Sequence, residues 1–241
     1  MLERARRAGV RQMVVVGYDL PSSRLAVQLA EQHPGLWAAV GVHPHDAGSV
    51  DEDEIAQLRQ LATSQVVVAI GETGLDFFRS LSPPETQKRS FRRHLDLAEA
   101  LGLPVVVHCR ATADTCDAQQ AALEILGSVS PPRFVWHCFD GTPEQACQAL
   151  SMNALLGFGG LLTYPGKEQL AQVASEVPAD RILLETDSPY LPPEPRRSRD
   201  NEPGNLPIIA ESLARVRGET VDQVETMSTQ NAQRLFGLRT R

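Results

Sequence analysis

Short apolar runs recur along the 241-residue chain and alternate with longer amphipathic segments. The runs are rich in Val, Ile, Leu and Ala and lack the polar alternation of a half-exposed sheet, so we expect buried strands. The predicted strands cover residues 12–17, 36–42, 66–71, 103–109, 133–139, 154–158 and 181–186. Segments with helical periodicity lie between and after them. The predicted helices cover residues 22–32, 51–62, 84–101, 113–126, 143–150, 167–176, 206–217 and 221–236.

The alternation of strand and helix predicts an α/β fold in which parallel strands are joined by helical crossovers. The repeat length is near that of a (β/α)₈ barrel, in which about 250 residues are shared by eight units. A doubly wound open sheet is the alternative, but no glycine-rich phosphate loop follows the first predicted strand. Because the chain opens in a helical stretch at residues 2–8, we expect a TIM barrel that lacks its first strand. No linker interrupts the pattern, so residues 1–241 are predicted to form a single barrel domain.

Composition and charge narrow the function classes. With 42% hydrophobic residues the chain has enough apolar surface for a substantial core. The net charge of −7 argues against binding nucleic acid by bulk electrostatics, so any phosphate site must be local. The four cysteines show no CxxC pair, which disfavours a disulfide framework or structural zinc site and indicates a reducing cytoplasm. No stretch approaches the roughly 20 apolar residues of a membrane span, and the first residues lack the apolar core of a signal peptide.

Ionisable residues lie at or just beyond the carboxyl ends of five predicted strands, where the active site of a parallel barrel is built. Each has an ordinary structural explanation when taken alone: a core histidine, a helix cap or a carboxylate paired with arginine. Together they form a set that suits a divalent cation with mixed imidazole and carboxylate ligands. Such a centre indicates hydrolysis of a phosphoryl or carbonyl group. The set consists of His43, Glu72, His108, His137 and Asp187.

Two neighbouring segments remain open to more than one interpretation. In the HPH segment both histidines can face the barrel mouth on extended backbone, or the proline can make a turn. We expect His43 to face the substrate and His45 to be structural. Arg110 lies two residues after the candidate ligand His108 and is predicted to contact a phosphate; a surface arginine or a salt bridge is at least as good an explanation. His94 lies on a predicted helix and is expected to be dispensable for activity.

Six motifs in register resemble the TatD family of metal-dependent deoxyribonucleases, which belongs to the amidohydrolase-like barrels. The resemblance covers residues 1–238 and implies a divalent-cation phosphodiesterase that acts on nucleic acid. It identifies Glu72, His108 and His137 as metal ligands, Asp187 as a ligand and proton acceptor, and His43 as a residue at the reacting phosphate. Many family members open with an HxH pair on the first strand, which this chain lacks, so the number of metals stays open. The motifs are GVHPHD, GETGLDFF, VVVHCR, WHCFDGT, ETDSPYL and RDNEPGNLP.

The sequence therefore predicts a metal-dependent nuclease that hydrolyses DNA, with 3′ to 5′ exonuclease action on single strands of DNA or RNA. Mg²⁺ is the expected metal, and Mn²⁺ and Zn²⁺ are alternatives. Asp187 and His43 are the predicted catalytic residues, and His43 and Arg110 the predicted substrate-binding residues. The protein is expected to be a cytoplasmic monomer. Two alternative hypotheses remain open. The protein is a barrel metallohydrolase that acts on small esters or amides, or it is an inactive truncated barrel or binding scaffold.

Overall fold

The computed structural model describes residues 1–112, 117–129 and 133–239. In these residues the strands are β1 (Met13–Val16), β2 (Leu36–Val40), β3 (Val67–Asp76), β4 (Val105–Arg110), β5 (Phe134–Trp136), β6 (Leu155–Phe158) and β7 (Ile182–Leu184). The helices are α1 (Leu2–Arg7), α2 (Leu20–Gln32), α3 (Glu52–Leu61), α4 (Pro84–Leu101), α5 (Asp117–Ser128), α6 (Pro143–Ser151), α7 (Glu168–Glu176), α8 (Leu206–Arg217) and α9 (Val221–Phe236).

Two compact units make up the chain. The β1–β5 unit consists of Gln12–Trp136 together with Leu235–Arg241. The β6–β7 unit consists of Met1–Arg11 together with His137–Arg234. The single domain expected for residues 1–241 therefore stays a prediction.

In the β1–β5 unit the strands pair in parallel and in chain order, from β1 to β5. Helical crossovers separate successive strands, as parallel pairing requires. Every residue of β2 is buried, and Val105 and Val107 of β4 are fully inaccessible. The apolar runs of β2 and of the first half of β4 are therefore buried on both faces, as the sequence predicted. The prediction of a buried strand is wrong for β1, whose four residues are all only partly buried.

Capping residues determine where two of the crossover helices, α2 and α4, begin or end. The Oδ1 of Asp19 accepts a hydrogen bond from the Ser22 N–H at 2.7 Å, and the Ser22 hydroxyl accepts one from the Asp19 N–H at 3.0 Å. This capping box begins α2 directly after β1. Helix α4 begins at Pro84 and ends at Leu101, and the following Gly102 caps it with a left-handed φ of +66°.

In the β6–β7 unit the two strands pair in parallel, with Leu156 opposite Ile182. Helix α6 starts with a capping box between Thr142 and Gln145. The Arg217 guanidinium donates hydrogen bonds of 2.8 Å to the Ala174 and Val177 carbonyls, where α7 ends. These contacts hold α8 against α7 and satisfy carbonyl groups that a helix end leaves without partners.

The predicted elements are confirmed in the residues that the structure describes. Seven parallel strands alternate with helices, which is the predicted fold class of an α/β barrel without its first strand. The predicted helix over 113–126 appears as α5 from Asp117 onward, and residues 113–116 lie outside the described part. No helix in the described ranges is long and apolar enough to cross a membrane.

His94 is a core residue of the β1–β5 unit. It is fully buried on α4, and its Nε2 accepts a hydrogen bond from the Val42 N–H at 3.1 Å while its Nδ1 donates to the Ser90 carbonyl at 2.8 Å. Burial lowers the pKa of His94 to about 4. The imidazole is therefore neutral in the folded protein, and it holds the backbone one residue before His43.

His94 should make stability depend on pH. Because its folded pKa lies below its unfolded value near 6.5, its contribution is complete above pH 6.5 and declines as the pH falls toward 4. Between pH 8 and pH 5 the loss should be about 2 kcal/mol. Urea unfolding at both pH values should show a loss at least this large in the wild type, and a loss smaller by about 2 kcal/mol in His94→Gln. His33→Gln, which changes a histidine outside the core, should keep the wild-type difference; equal pH dependence in all three proteins would contradict the assignment.

Candidate metal centre

The first cluster lies in the β1–β5 unit at the carboxyl ends of its strands. His43 follows β2, Glu72 and Asp76 lie on β3, and His108 lies on β4. Gly74 is paired with His108, and a Cβ at Gly74 would lie 2.0 Å from the His108 carbonyl oxygen. Only glycine permits this approach, so the glycine of the GETGLD motif fixes the position of His108 against β3.

His108 lies between two carboxylates. Its Nδ1 is 2.7 Å from Oε1 of Glu72, and its Nε2 is 3.3 Å from Oδ2 of Asp76. A neutral imidazole has one N–H, so it can donate to only one of these carboxylates and presents a lone pair to the other. A cation bound in the cluster would remove that conflict. The contacts thus bring Glu72 and His108 together, as the sequence predicted.

Asp76 belongs to this cluster although the sequence analysis did not select it. Its side chain is 1% exposed, and Oδ2 contacts the His45 Nε2 at 2.9 Å as well as His108. Oδ1 accepts a hydrogen bond from the Arg79 N–H at 2.8 Å. Burial alone would raise the pKa of Asp76, but the hydrogen bonds from His108, Arg79 and His45 hold it well below its usual range. Asp76 is therefore ionised and orients two histidines.

His43 presents an N–H to the same cluster. Its Nδ1 accepts a hydrogen bond from the His45 N–H at 3.2 Å, so in the neutral ring the proton is on Nε2. That Nε2 lies 3.8 Å from Oε1 of Glu72, and the ring centroid is 4.4 Å from that of His108. Burial, followed by the neighbouring His108, lowers the pKa of His43 to about 3. His43 is accordingly a neutral hydrogen-bond donor at pH 7.

A second cluster lies in the β6–β7 unit. The Nδ1 of His137 is 3.0 Å from Oε2 of Glu185, and its Nε2 is 3.6 Å from Oδ1 of Asp187. One sulfur, one ring nitrogen and one carboxylate oxygen of Cys138, His137 and Asp187 lie within 4.8 Å of one another. His137 and Asp187 were predicted from sequence, whereas Glu185 was missed. Cys138, which the sequence did not single out as a ligand, also belongs to this cluster.

Backbone conformation at the second cluster is unusual for residues that carry side chains. Cys138 has φ of +47° and Asp187 has φ of +54°, in the left-handed region that glycine normally occupies. Glu185 helps to hold the first of these, because its Oε1 accepts a hydrogen bond from the Cys138 N–H. Strained positions of this kind concentrate at functional sites, where the surrounding contacts maintain them.

The donor chemistry of both clusters fits a divalent cation. Each central histidine has a carboxylate near both ring nitrogens, and a neutral ring can donate a hydrogen bond to only one of the two. A carboxylate that orients a histidine through one nitrogen, leaving the other for a metal, is the usual environment of histidine ligands. Glu185 is placed to act in this way on His137.

Arg110 ends β4 two residues after His108, and its side chain is exposed. Its guanidinium carbon lies 4.2 Å from the centroid of the Phe78 ring. Arg110 is thus an exposed arginine that contacts an aromatic ring, which agrees with its ordinary explanation as a surface residue. Its predicted contact with a phosphate stays a prediction.

The family is decided by comparison with known proteins. A model of TatD related DNases matches residues 1–237. The chain belongs to this family. This match confirms the resemblance found in the six sequence motifs. It also confirms that the chain belongs to a family of metal-dependent hydrolases. The chain is similar to the 3′-5′ ssDNA/RNA exonuclease TatD of Cronobacter sakazakii, with 42% identity over 98% of this chain and 90% of the relative's length.

Two further relatives span nearly the whole chain. The uncharacterised metal-dependent hydrolase YabD of Bacillus subtilis is 37% identical over 98% of this chain and 91% of its own length. The crystal structure of YjjV, a TatD homologue from Escherichia coli K12, superimposes with a TM-score of 0.91 at 30% identity, covering 99% of this chain and 91% of that one. The agreement with a solved TatD homologue confirms the predicted fold class.

Proposed function

We propose that this protein is a metal-dependent exonuclease that removes nucleotides from the 3′ end of single-stranded DNA, and also of RNA. Membership of the TatD related DNase family supports a nuclease, and the relative from Cronobacter sakazakii carries the name of a 3′-5′ ssDNA/RNA exonuclease. The observation that carries the proposal is that the predicted ligands occur in two clusters whose histidines each face two carboxylates.

We propose Glu72, His108, His137 and Asp187 as the ligands of the divalent metal. Their imidazole nitrogens and carboxylate oxygens suit Mg²⁺ when water completes the shell, and they also suit Mn²⁺ or Zn²⁺. We take Mg²⁺ as the working metal. When bound, the cation supplies positive charge that stabilises negative charge developing on the phosphate.

Three further roles in phosphodiester hydrolysis are proposed for side chains of this protein: proton acceptor, hydrogen-bond donor to the reacting phosphate, and ligand of a phosphate oxygen. Asp187 accepts the proton of the attacking water, since its carboxylate lies beside His137. As the water oxygen bonds to phosphorus, the bond from phosphorus to the oxygen of the leaving group breaks, and that oxygen takes up a proton from solvent. His43 donates its Nε2–H to a nonbridging oxygen of the reacting phosphate, which its low pKa allows because the ring stays neutral. Arg110 binds a phosphate oxygen of the same strand through its exposed guanidinium.

The cellular setting follows from the same proposal. None of the described cysteines, Cys109, Cys138 and Cys147, forms a disulfide, which supports a reducing cytoplasm. Removal of nucleotides from 3′ ends suits a role in DNA repair. We take the active form to be a monomer, which sedimentation of the purified protein tests directly.

A nuclease assay tests the proposed function. Oligonucleotides labelled at the 5′ end, single- and double-stranded, are incubated with Mg²⁺, Mn²⁺ or Zn²⁺ or with excess EDTA. We expect a ladder of products shortened from the 3′ end with single-stranded substrate, and no products in EDTA. Blocking the 3′ end should stop the reaction. Hydrolysis of p-nitrophenyl esters without any cleavage of oligonucleotides would contradict the proposal, and undiminished cleavage in EDTA would exclude the metal.

A further inference from the structure

Phe78 is an exposed aromatic residue that the proposed mechanism does not use. Its side chain lies in the loop between β3 and α4 and is 51% exposed. Large apolar side chains on a surface are informative when they lie beside a functional site. Phe78 is two residues from Asp76, which contacts the candidate ligand His108.

The backbone that carries Phe78 is held on both sides. The Phe77 N–H donates to the Arg110 carbonyl at 2.9 Å, and the Arg79 N–H donates to the Asp76 carboxylate at 2.8 Å. The buried Gln87 side chain donates to the Ser82 carbonyl at 2.8 Å and so fixes the far end of the loop. An aromatic ring on such a frame is presented to solvent in a defined position, with little ordering cost when a ligand binds.

Arg110 stacks against this ring and extends its surface. The 4.2 Å distance between the guanidinium carbon and the ring centroid is that of a cation–π contact. Arg110 and His108 are two residues apart on β4, so their side chains leave the strand on the same face, about 7 Å apart along it. The stacked pair therefore lies beside the first cluster.

We propose that Phe78 and Arg110 form a stacking platform for a nucleobase of the substrate strand, next to the reacting phosphate. The inference rests on the proposed nuclease function and adds a determinant of its substrate class. Aromatic rings and guanidinium planes are the surfaces on which proteins stack unpaired bases, and such stacking tolerates any base because every base has a π-face. A paired base in a duplex is not available to it, so the platform favours single strands.

A simpler role for Phe78 makes a different prediction. If the ring only holds Arg110 in place to bind a phosphate, its loss weakens binding of every strand equally, with or without a base. If the ring stacks a base, its loss weakens binding only where a base is present. Substrates with an abasic site near the 3′ end separate the two roles.

The test uses intact and abasic single strands with wild type, Phe78→Ala, Phe78→Trp and Leu81→Ala. Leu81 is an exposed aliphatic residue of the same loop, at 67% exposure, and serves as the control. We expect Phe78→Ala to raise the KM for the intact strand by about 5- to 150-fold relative to that for the abasic strand. Phe78→Trp should restore the wild-type ratio, and Leu81→Ala should leave it unchanged.

A binding measurement separates this inference from the proposed function. Strands with 2-aminopurine at the 3′ terminal or penultimate position are titrated with each protein in EDTA, where no cleavage occurs. Fluorescence should be quenched by wild type and Phe78→Trp and much less by Phe78→Ala. Equal quenching by all variants, or an equal loss of affinity for intact and abasic strands, would overturn the platform while leaving the nuclease in place. A wild type that neither binds nor cleaves the strands would overturn both.

Discussion

Replacing Glu72 with alanine is expected to reduce cleavage of single-stranded DNA by about 10³-fold, while the protein stays folded. The carboxylate contacts His108 at 2.7 Å and lies 3.8 Å from His43, so its removal takes a charge from the centre of the first cluster. Losing one group that stabilises a transition state electrostatically costs about 10²- to 10³-fold in kcat, and a ligand to the cation is expected to be at the upper end.

Stability should change little in Glu72→Ala, because the side chain is partly exposed and its role is to bind rather than to pack. Single-turnover cleavage and thermal unfolding measured on the same preparation separate the two effects. Glu99→Ala removes an exposed carboxylate from α4 and is the matched control. Wild-type rates in the Glu72 variant would remove this residue from the site, and loss of folding would show that its role is structural.

Asp76→Asn should have the second largest effect, because it changes a positioning residue rather than a ligand. The amide keeps the shape of the side chain but loses the charge that His45 and His108 both face. Groups that orient metal ligands typically contribute about 10- to 100-fold in metal affinity or activity. We therefore expect cleavage to fall by about 10- to 100-fold at low metal concentration, with partial recovery as the metal concentration is raised.

The dependence on metal concentration distinguishes positioning from general destabilisation. A loss that comes only from weaker folding would follow the unfolding midpoint and would not be recovered by metal. Asp96→Asn, an exposed change on α4, should match the wild type in both measurements. If Asp76→Asn needed no more metal than the wild type for half-maximal rate, Asp76 would have no part in orienting the ligands.

The strand ends were predictable from sequence, and so were the side chains that come directly after an apolar run. His43, His108 and His137 follow such runs in the chain, and parallel strands bring their carboxyl ends to the same edge of a sheet. The apolar runs of β2 and β4 are nearly continuous because residues on both faces of these strands are buried. Glu72 and Asp187 were predicted in the same way, because each lies just beyond an apolar run.

Asp76 was missed because the predicted strand stops at residue 71, where the polar GETG segment interrupts the apolar run. The observed β3 continues to Asp76, since backbone pairing with β4 resumes at Thr73 and runs to Arg110. Pairing with a neighbour overrides local composition here. Glu185 was passed over because a carboxylate just beyond a strand does not show which histidine it faces. The stacking of Arg110 on Phe78 depends on the register of two strands, which one sequence does not reveal.

Binding of divalent metal to the purified protein is the most direct measurement. Calorimetric titration with Mg²⁺ and with Mn²⁺ would compare the wild type with Glu72→Ala and Asp187→Asn, which change one proposed ligand in each cluster, and with Glu99→Ala. We predict saturable binding in the wild type and in Glu99→Ala, and binding weakened at least about tenfold in both ligand variants. Wild-type affinity and stoichiometry in Glu72→Ala and Asp187→Asn would contradict the assignment of these residues as ligands.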